Sequence, residues 1–157
     1  MSTSAVLLNT TFPDIPRMRD GELELQLVRR SAPDARRNWA PAYHFEMRVL
    51  GGDVAGWIDL RVGDSPELPL FNGHIGYTVR EAYRGHRYAA RSCLLLFDLA
   101  RRHGFTELWI TCNPENGASR RTCEIVGAEY VELIELPPET DLYRRGERRK
   151  CRYRVAL

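Results

Sequence analysis

The sequence lacks the signals of several common protein classes. No apolar run approaches the roughly 18 residues that a membrane-spanning helix needs, and Met1 to Leu8 has neither the basic residues nor the apolar length of a secretion signal. The four cysteines show no C-x-x-C or other metal-type spacing. The patterns G-x-x-x-x-G-K-S/T and, after a strand, G-x-G-x-x-G are missing too. We therefore expect a soluble, reduced, cytoplasmic protein without a metal, and neither a P-loop nor a dinucleotide-binding fold.

Charge is abundant but balanced. Charged residues make up 28% of the 157 residues, yet the formal net charge is only +2. Nucleic-acid binding is not expected, because such proteins usually carry a strong basic field. The hydrophobic content of 43% suits one compact domain. We assign residues 1–20, which include Pro13 and Pro16, to an N-terminal arm that is either wrapped around the domain or disordered, and residues 21–157 to the domain.

The segment Tyr83 to Ala89 carries the strongest functional signal. It follows an alternating stretch, Gly73 to Val79, that predicts a strand, and it leads into an apolar stretch, Ala89 to Arg102, that predicts a helix. The first N–H groups of a helix are unpaired and lie at the positive end of its dipole, so they bind phosphate. Arg84 and Arg87 add two guanidinium groups, which favour a ligand with several phosphate oxygens.

Two motifs in this order resemble those of the GNAT family of N-acetyltransferases. Gly76 to Val79 followed by Tyr83 to Ala89 resembles the acetyl-coenzyme A signature Arg/Gln-x-x-Gly-x-Gly/Ala, although Arg87 stands where the family usually has glycine. Asn116 to Gly127 resembles the second cofactor segment, Asn-x-x-Ser-x-Arg-x-x-Glu-x-x-Gly, in the form of the ribosomal-protein acetyltransferase branch. The resemblance covers about residues 43–135.

The resemblance implies an α/β fold with acetyl-coenzyme A as co-substrate. The expected sheet is mixed and mostly antiparallel, with about six to seven strands flanked by helices and one parallel strand pair forming the cofactor slot. Residues that the resemblance places at the cofactor are Tyr77, Thr78, Val79, Arg84, Gly85, His86, Arg87, Tyr88, Ala89, Asn113, Asn116 and Ser119.

Alternation and turn residues predict the remaining elements. They are strands at Leu23–Val28, Phe45–Val49, Trp57–Val62, Leu108–Cys112, Gly127–Glu135 and Cys151–Ala156, a short helix from Ser31 to near Trp39, a helix capped by Asn116, and loops at Gly63–Asn72 and Pro137–Arg149. The strand–helix–strand order around Ala89 to Arg102 implies the parallel pair. GNAT proteins usually place two helices between their first two strands. Only about a dozen residues are available here, so we expect an open acceptor side.

Acyl transfer to an amine needs a base, an oxyanion donor and an acid. The resemblance implies that the Val79 N–H is the oxyanion donor. Many members of the family carry a glutamate at about the strand position that His74 occupies in this sequence. His74 is therefore the candidate base, with Glu46 as the alternative. The acid of many members is a tyrosine seven residues after the asparagine, a position that here holds Cys123. A thiol donates a proton poorly, so water, Tyr130 or Tyr143 are alternatives.

These observations predict an N-acetyltransferase in which a primary amine attacks the acetyl thioester directly, in a monomer or homodimer. The acceptor should be a peptide or protein amine or a polyamine, because the crossover is short and several carboxylates, Glu46, Asp59, Glu139 and Asp141, could attract a cation. Those carboxylates could equally pair with local arginines. The alternative function is a coenzyme A-binding regulatory module with little or no turnover. An RNA- or ribosome-binding role rests only on the branch resemblance and on the basic run Arg144 to Lys150, which is more simply a solvated loop.

Overall fold

The computed structural model describes residues 15, 17–37, 39–63 and 65–157. Within them the chain forms eight strands and three α-helices. In chain order these are β1 (Met18–Asp20), β2 (Leu23–Ser31), β3 (Ala42–Val49), β4 (Val54–Arg61), β5 (Ile75–Val79), α1 (Tyr88–Arg102), β6 (Glu107–Cys112), α2 (Gly117–Ile125), β7 (Glu129–Glu135), α3 (Asp141–Arg144) and β8 (Arg149–Ala156).

The strands form two antiparallel sheets, one in the order β1-β2-β3-β4-β5 and the other in the order β6-β8-β7. The predicted α/β class is confirmed, with the strands divided between two sheets where the sequence predicted one. The β3–β4 hairpin pairs Phe45 with Ile58 and His44 with Asp59, as the predicted faces require. Phe45 and Ile58 are fully buried, whereas Trp57 on the opposite face is 46% exposed. The first sheet therefore has one apolar and one polar face.

Helix α1 covers the apolar face of the first sheet. Its buried residues Cys93, Leu96 and Leu99 lie within the apolar stretch that the sequence predicts to be helical, and they join the core with Phe45 and Ile58, whereas Leu94 of the same stretch is exposed. A buried side chain of this size contributes about 1.5–3 kcal/mol to folding. Gly104 follows the helix with a φ of 86°, a left-handed conformation that glycine adopts readily. Among the described residues, no helix combines the length and apolar character needed to cross a bilayer.

The two sheets meet where β5 begins. The His74 N–H donates to the Trp109 carbonyl at 2.7 Å, and Thr111 Oγ1 donates to the Phe71 carbonyl at 2.8 Å. Within the described residues β5 and β6 form no continuous ladder, so the predicted parallel pair is reduced to contacts at this one end. A gap between the strands follows from that arrangement.

The helix predicted between Ser31 and Trp39 is wrong. Ser31 is the last residue of β2, and Asp34 and Trp39 exchange two backbone hydrogen bonds of 2.9 and 3.0 Å. Asp34 Oδ1 accepts from the backbone N–H of Arg36 and of Arg37, at 3.0 and 3.3 Å. An aspartate that bonds the N–H groups two and three residues ahead stabilises a tight turn instead of a helix.

Three other segments differ from the expectation in detail. The loop predicted at Gly63–Asn72 contains a short π-helical segment, Leu68–Asn72. The long loop predicted at Pro137–Arg149 contains the single helical turn α3. Residues Met18–Asp20 of the predicted arm form β1 and pair with β2, and Arg91 of α1 bonds Asp20 and Glu22 beside them. Arg91 lowers the pKa of Glu22 to about 2. Residues 1–14 and 16 of the arm lie outside the described residues.

Candidate active site

The loop between β5 and α1 presents an uncapped helix N-terminus. The first helical bond runs from the Arg91 N–H to the Arg87 carbonyl, so the N–H groups of residues 88–90 have no partner inside the helix. No side chain of the described residues caps α1, and no acidic residue lies in its first turn. Arg87 has a φ of 59° and Gly85 a φ of 96°. Arg87 thus adopts the backbone conformation suited to the glycine that the family usually has there, at a cost of about 1 kcal/mol.

Two cations flank this helix end. Arg84 and Arg87 form no ion pair with a carboxylate in the described part of the chain, and the Arg84 Nε–H donates to the Val79 carbonyl at 3.3 Å. Arg91 is different, because it is held by Asp20 and Glu22. His86 stacks on Tyr88 with ring centroids 5.2 Å apart.

The last residues of β5 direct backbone groups into the gap between the sheets. The Arg80 N–H donates to the Ala55 carbonyl and the His74 carbonyl accepts from the Arg61 N–H, so even-numbered residues bond to β4. Along an antiparallel strand the backbone N–H and C=O groups of one residue point toward the paired strand, and those of the next residue point away from it. The N–H groups of Tyr77 and Val79 therefore face away from β4, toward the gap.

The end of β5 depends on Gly56 of β4, which pairs with Val79. A Cβ atom at Gly56 would lie 2.2 Å from the Thr78 carbonyl oxygen, a backbone atom that cannot move without moving β5. We expect Gly56→Ala to lower the free energy of unfolding by about 1–3 kcal/mol and to weaken ligand binding at Val79. Gly63→Ala is the control, since its nearest contact is 3.5 Å. Equal urea-unfolding midpoints for both variants would contradict this geometry.

A cavity of about 750 Å³ opens between β5 and the start of α2 and extends over the polar face. Asn113, Asn116 and Ser119 line it on the α2 side. Asn116 Oδ1 caps α2 by accepting from the Ser119 N–H at 3.1 Å, as predicted. Asn113 Oδ1 is buried, and no hydrogen-bond partner for it exists among the described residues. A buried acceptor without a partner fits a ligand that supplies an N–H donor, such as the amides of the pantetheine arm.

Tyr77 brings a phenol to the place expected for the catalytic acid. Its hydroxyl lies 2.8 Å from Ser119 Oγ, and burial raises its pKa, so it stays protonated. Cys123, the residue at the acid position of the motif, is fully buried, and its hydrogen bond to Cys112 together with burial raises its pKa. The geometry does not support Cys123 as the acid. Tyr130 instead packs against Tyr153, and Tyr143 lies under Arg148.

His74 does not occupy the position expected of a base. It is only 6% exposed, it packs edge-on against Phe105, and its Nδ1 accepts the Trp109 N–H at 2.9 Å. Burial lowers its pKa to about 4, so the ring is neutral and its Nδ1 lone pair is used. His74 is not among the residues that line the cavity. Its observed role is to join the start of β5 to β6.

A pair of substitutions tests this structural role of His74. His74→Leu leaves the buried Trp109 N–H without an acceptor and should lower the free energy of unfolding by about 1–3 kcal/mol. His74→Asn offers an oxygen near the position of Nδ1 and should lose clearly less. Urea titration measures both values. If His74→Leu were as stable as the parent protein, the hydrogen bond from the Trp109 N–H to His74 would not contribute to stability.

Two of the four predicted carboxylates are held by arginines. Glu46 Oε2 accepts from Arg48 Nε at 2.8 Å and does not line the cavity, so the structure offers no support for Glu46 as a base. Asp141 pairs with Arg144 at 3.3 Å. The alternative that these carboxylates pair locally is the better description of both. Asp59 differs, because its partner is His44.

The sequence motifs did not indicate His44, and Asp59 was predicted only as one of several carboxylates that could attract a cation, but the structure pairs the two side chains at the cavity. His44 Nδ1 lies 2.7 Å from Asp59 Oδ1, and His44 Nε2 lies 2.9 Å from Ser31 Oγ. All three line the cavity. Asp59 pairs across the sheet with Gly76 of β5, and the Arg61 guanidinium lies over Gly76, held by the carbonyls of residues 72 and 73. Alternation placed His44 and Asp59 on one face, but only the strand register brings them together.

Comparisons with known proteins agree with this geometry. A family model described as an acetyltransferase (GNAT) domain matches residues 10–129, so the chain belongs to the GNAT acetyltransferase family. A search of curated proteins finds no significant match.

Solved structures share the fold. A protein described as a candidate ribosomal-protein-serine acetyltransferase from Vibrio cholerae is 18% identical with a TM-score of 0.63, and the match covers 94% of this chain and 100% of that one. The ribosomal L7/L12 alpha-N-protein acetyltransferase RimL, in complex with coenzyme A, is 18% identical with a TM-score of 0.58 over 74% and 62% of the two chains. A GNAT acetyltransferase from Bacillus anthracis is 19% identical with a TM-score of 0.56 over 72% and 65%. This chain thus matches less than two thirds of the length of the last two.

Proposed function

We propose that this protein is an acetyl-coenzyme A-dependent N-acetyltransferase whose acceptor is a primary amine on a peptide or protein. The observation that carries the proposal is the N-terminus of α1, which no described side chain caps and which Arg84 and Arg87 flank, at the end of a strand whose Val79 N–H faces away from β4. Family membership supports acetyl transfer. The four cysteines are free and buried, which supports work in the cytoplasm.

The residues of the gap fit the parts of acetyl-coenzyme A. The N–H groups of residues 88–90 with Arg84 and Arg87 would hold the phosphates, and the backbone of Tyr77 with Asn113 Oδ1 would hold the amides of the pantetheine arm. When bound, the co-substrate supplies an acetyl thioester that an amine can attack. The Val79 N–H is the donor available to a developing oxyanion.

Proton movement falls to two residues of the cavity. Tyr77 keeps its proton because burial raises its pKa, and it can donate that proton to a leaving sulfur. Asp59 is the carboxylate of the polar face closest to β5, and it is oriented by His44. We propose that Asp59 attracts the ammonium form of the acceptor amine and accepts a proton from that amine, directly or through water.

Replacing the phenol tests the first assignment. Tyr77→Phe removes only the hydroxyl, so kcat should fall by about 10-fold or more with little change in coenzyme A affinity. Cys123→Ala, at the position where the motif usually has tyrosine, should leave kcat within about 3-fold. If kcat fell in Cys123→Ala and not in Tyr77→Phe, Cys123 would be the acid instead.

An extended acceptor suits the shape of the cavity. Its outer walls are the turn after β2 and the segment around α3, and the described residues between Ser31 and Pro41 contain no helix to cover it. RimL, which is described as a ribosomal L7/L12 alpha-N-protein acetyltransferase, shares this fold, and this supports a protein N-terminus as the acceptor.

A panel of acceptors tests the proposal. Release of free thiol from acetyl-coenzyme A is followed with unstructured peptides that carry a free N-terminus, with polyamines, and with compact uncharged amines. The proposal predicts the highest kcat/KM for a peptide or polyamine and no release when every amine is blocked. Preference for a compact uncharged amine would contradict the acceptor class. Binding of coenzyme A with no turnover on any amine would indicate the regulatory module instead.

A further inference from the structure

Three neighbouring strands bring a serine, a histidine and an aspartate into line on the polar face. Ser31 ends β2, His44 lies on β3 and Asp59 lies on β4. The distances are 2.9 Å from Ser31 Oγ to His44 Nε2 and 2.7 Å from His44 Nδ1 to Asp59 Oδ1. Because all three side chains project from paired strands, their spacing is set by the register of one sheet.

The order of the groups decides where the imidazole can accept a proton. An ionised carboxylate only accepts hydrogen bonds, so Asp59 holds the N–H of His44 at Nδ1. The lone pair of His44 then lies on Nε2, where it accepts from the Ser31 hydroxyl at 2.9 Å and, at the longer distance of 3.5 Å, from Arg29 Nη2. This is the arrangement that turns a serine into a nucleophile in acyl-transfer enzymes on many unrelated folds.

The triad is open to a substrate and has a donor beside it. The side chains of His44 and Asp59 are 20% and 32% exposed, and Ser31, His44 and Asp59 all line the cavity. Arg29 Nη2 lies 3.5 Å from His44 Nε2, so a guanidinium with several N–H groups stands on the Ser31 side. Such a group can stabilise the oxyanion that forms when a hydroxyl attacks a carbonyl.

We propose that Ser31, His44 and Asp59 form a second acyl-transfer site that hydrolyses small carboxylic esters. Ser31 Oγ bonds to the ester carbonyl carbon as its proton passes to His44 Nε2. The bond from that carbon to the leaving oxygen then breaks, and the leaving oxygen takes the proton from His44. Water repeats the sequence on acyl-Ser31, releasing the carboxylic acid and restoring the serine. The net change is ester plus water to acid plus alcohol.

The reacting serine lies apart from the proposed acetyl-coenzyme A site, although the two sites share Asp59. Ser31 is three strands away from β5, which corresponds to roughly 14 Å at the usual strand spacing. A thioester held along β5 does not reach Ser31 over that distance. Ester hydrolysis should therefore need no coenzyme A, and it is tested independently of the amine acetylation proposed above.

The experiment uses the full chain with p-nitrophenyl acetate and, separately, with a fluorophosphonate that labels activated serines. We expect hydrolysis above the buffer rate and a phosphonyl adduct on the peptide that contains Ser31. Ser31→Ala and His44→Gln should each lower the rate of hydrolysis by about 10²-fold or more and should abolish the adduct. Ser65→Ala, at another serine that lines the cavity, should change neither.

Three results would overturn the proposal. They are hydrolysis no faster than buffer by the parent protein, a Ser31→Ala variant as fast as the parent, and an adduct that maps to any other residue. The adduct is read on the parent protein, so it does not depend on how well a variant folds. Circular dichroism of each variant separates a lost nucleophile from a lost fold.

Discussion

Asp59→Asn should lower the kcat of amine acetylation by about 10²-fold while the affinity for coenzyme A stays the same. The asparagine keeps the size of the side chain and still accepts a hydrogen bond from His44 Nδ1, which lies 2.7 Å from the carboxylate in the parent. It carries no charge to attract an ammonium group, and it cannot take up a proton at neutral pH. Initial rates of thiol release at saturating acetyl-coenzyme A measure the loss.

Glu46→Gln is the matched control for Asp59. It is the same change from acid to amide on the same face of the sheet, but Glu46 is bound to Arg48 and lies outside the cavity. Its kcat should remain within about 2-fold of the parent. Normal turnover in Asp59→Asn together with a large loss in Glu46→Gln would move the base to Glu46, the alternative that the sequence analysis named.

Reversing both charges of the cofactor loop should have an effect of similar size on binding. In the double variant Arg84→Glu, Arg87→Glu, two carboxylates replace two cations at the positive end of α1. Each change should weaken coenzyme A binding about 10-fold, so together they give about 10²-fold, or about 2.7 kcal/mol. Calorimetric titration of coenzyme A measures the two affinities directly.

A distant reversal of charge controls for net charge. Arg102→Glu lies at the other end of α1, about 20 Å away for a helix of 15 residues. Salt at physiological strength screens exposed charges over such a distance. The control should therefore bind coenzyme A like the parent. A folded double variant with unchanged affinity would remove the loop from the binding site.

Local patterns in the sequence predicted the parts of the fold that depend on one segment. The apolar stripe of α1, the turn before it and the Asn116 cap of α2 all follow from residues close together in the chain. The two faces of the β3–β4 hairpin follow from alternation. The family resemblance was confirmed for the same reason, because each of its motifs is a short continuous stretch.

Features that depend on distant segments could not be read in this way. The resemblance made His74 the candidate base, but Phe105 and the start of β6 cover that position. Ser31 was assigned to a helix cap, whereas the turn stabilised by Asp34 lets β2 continue to Ser31 and reach His44. Pairing between strands far apart in sequence determined both results.

Arg87 shows how a motif can change in sequence while its backbone is kept. In the sequence, Arg87 departs from the family motif because it stands where the motif usually has glycine. In the structure Arg87 takes the left-handed conformation that glycine would take, with a φ of 59°. The backbone path of the loop is therefore kept, and the side chain adds a cation where phosphate should bind.

The most direct test of the account is transfer of an isotope-labelled acetyl group from acetyl-coenzyme A to a peptide amine, read by mass spectrometry of the peptide. The account predicts labelled acetyl on the N-terminal nitrogen with the parent protein and a strongly reduced amount with Arg84→Glu, Arg87→Glu. It also predicts no transfer to a peptide whose amine is blocked. A folded parent protein that leaves every peptide and polyamine of the panel unlabelled would contradict the proposed function.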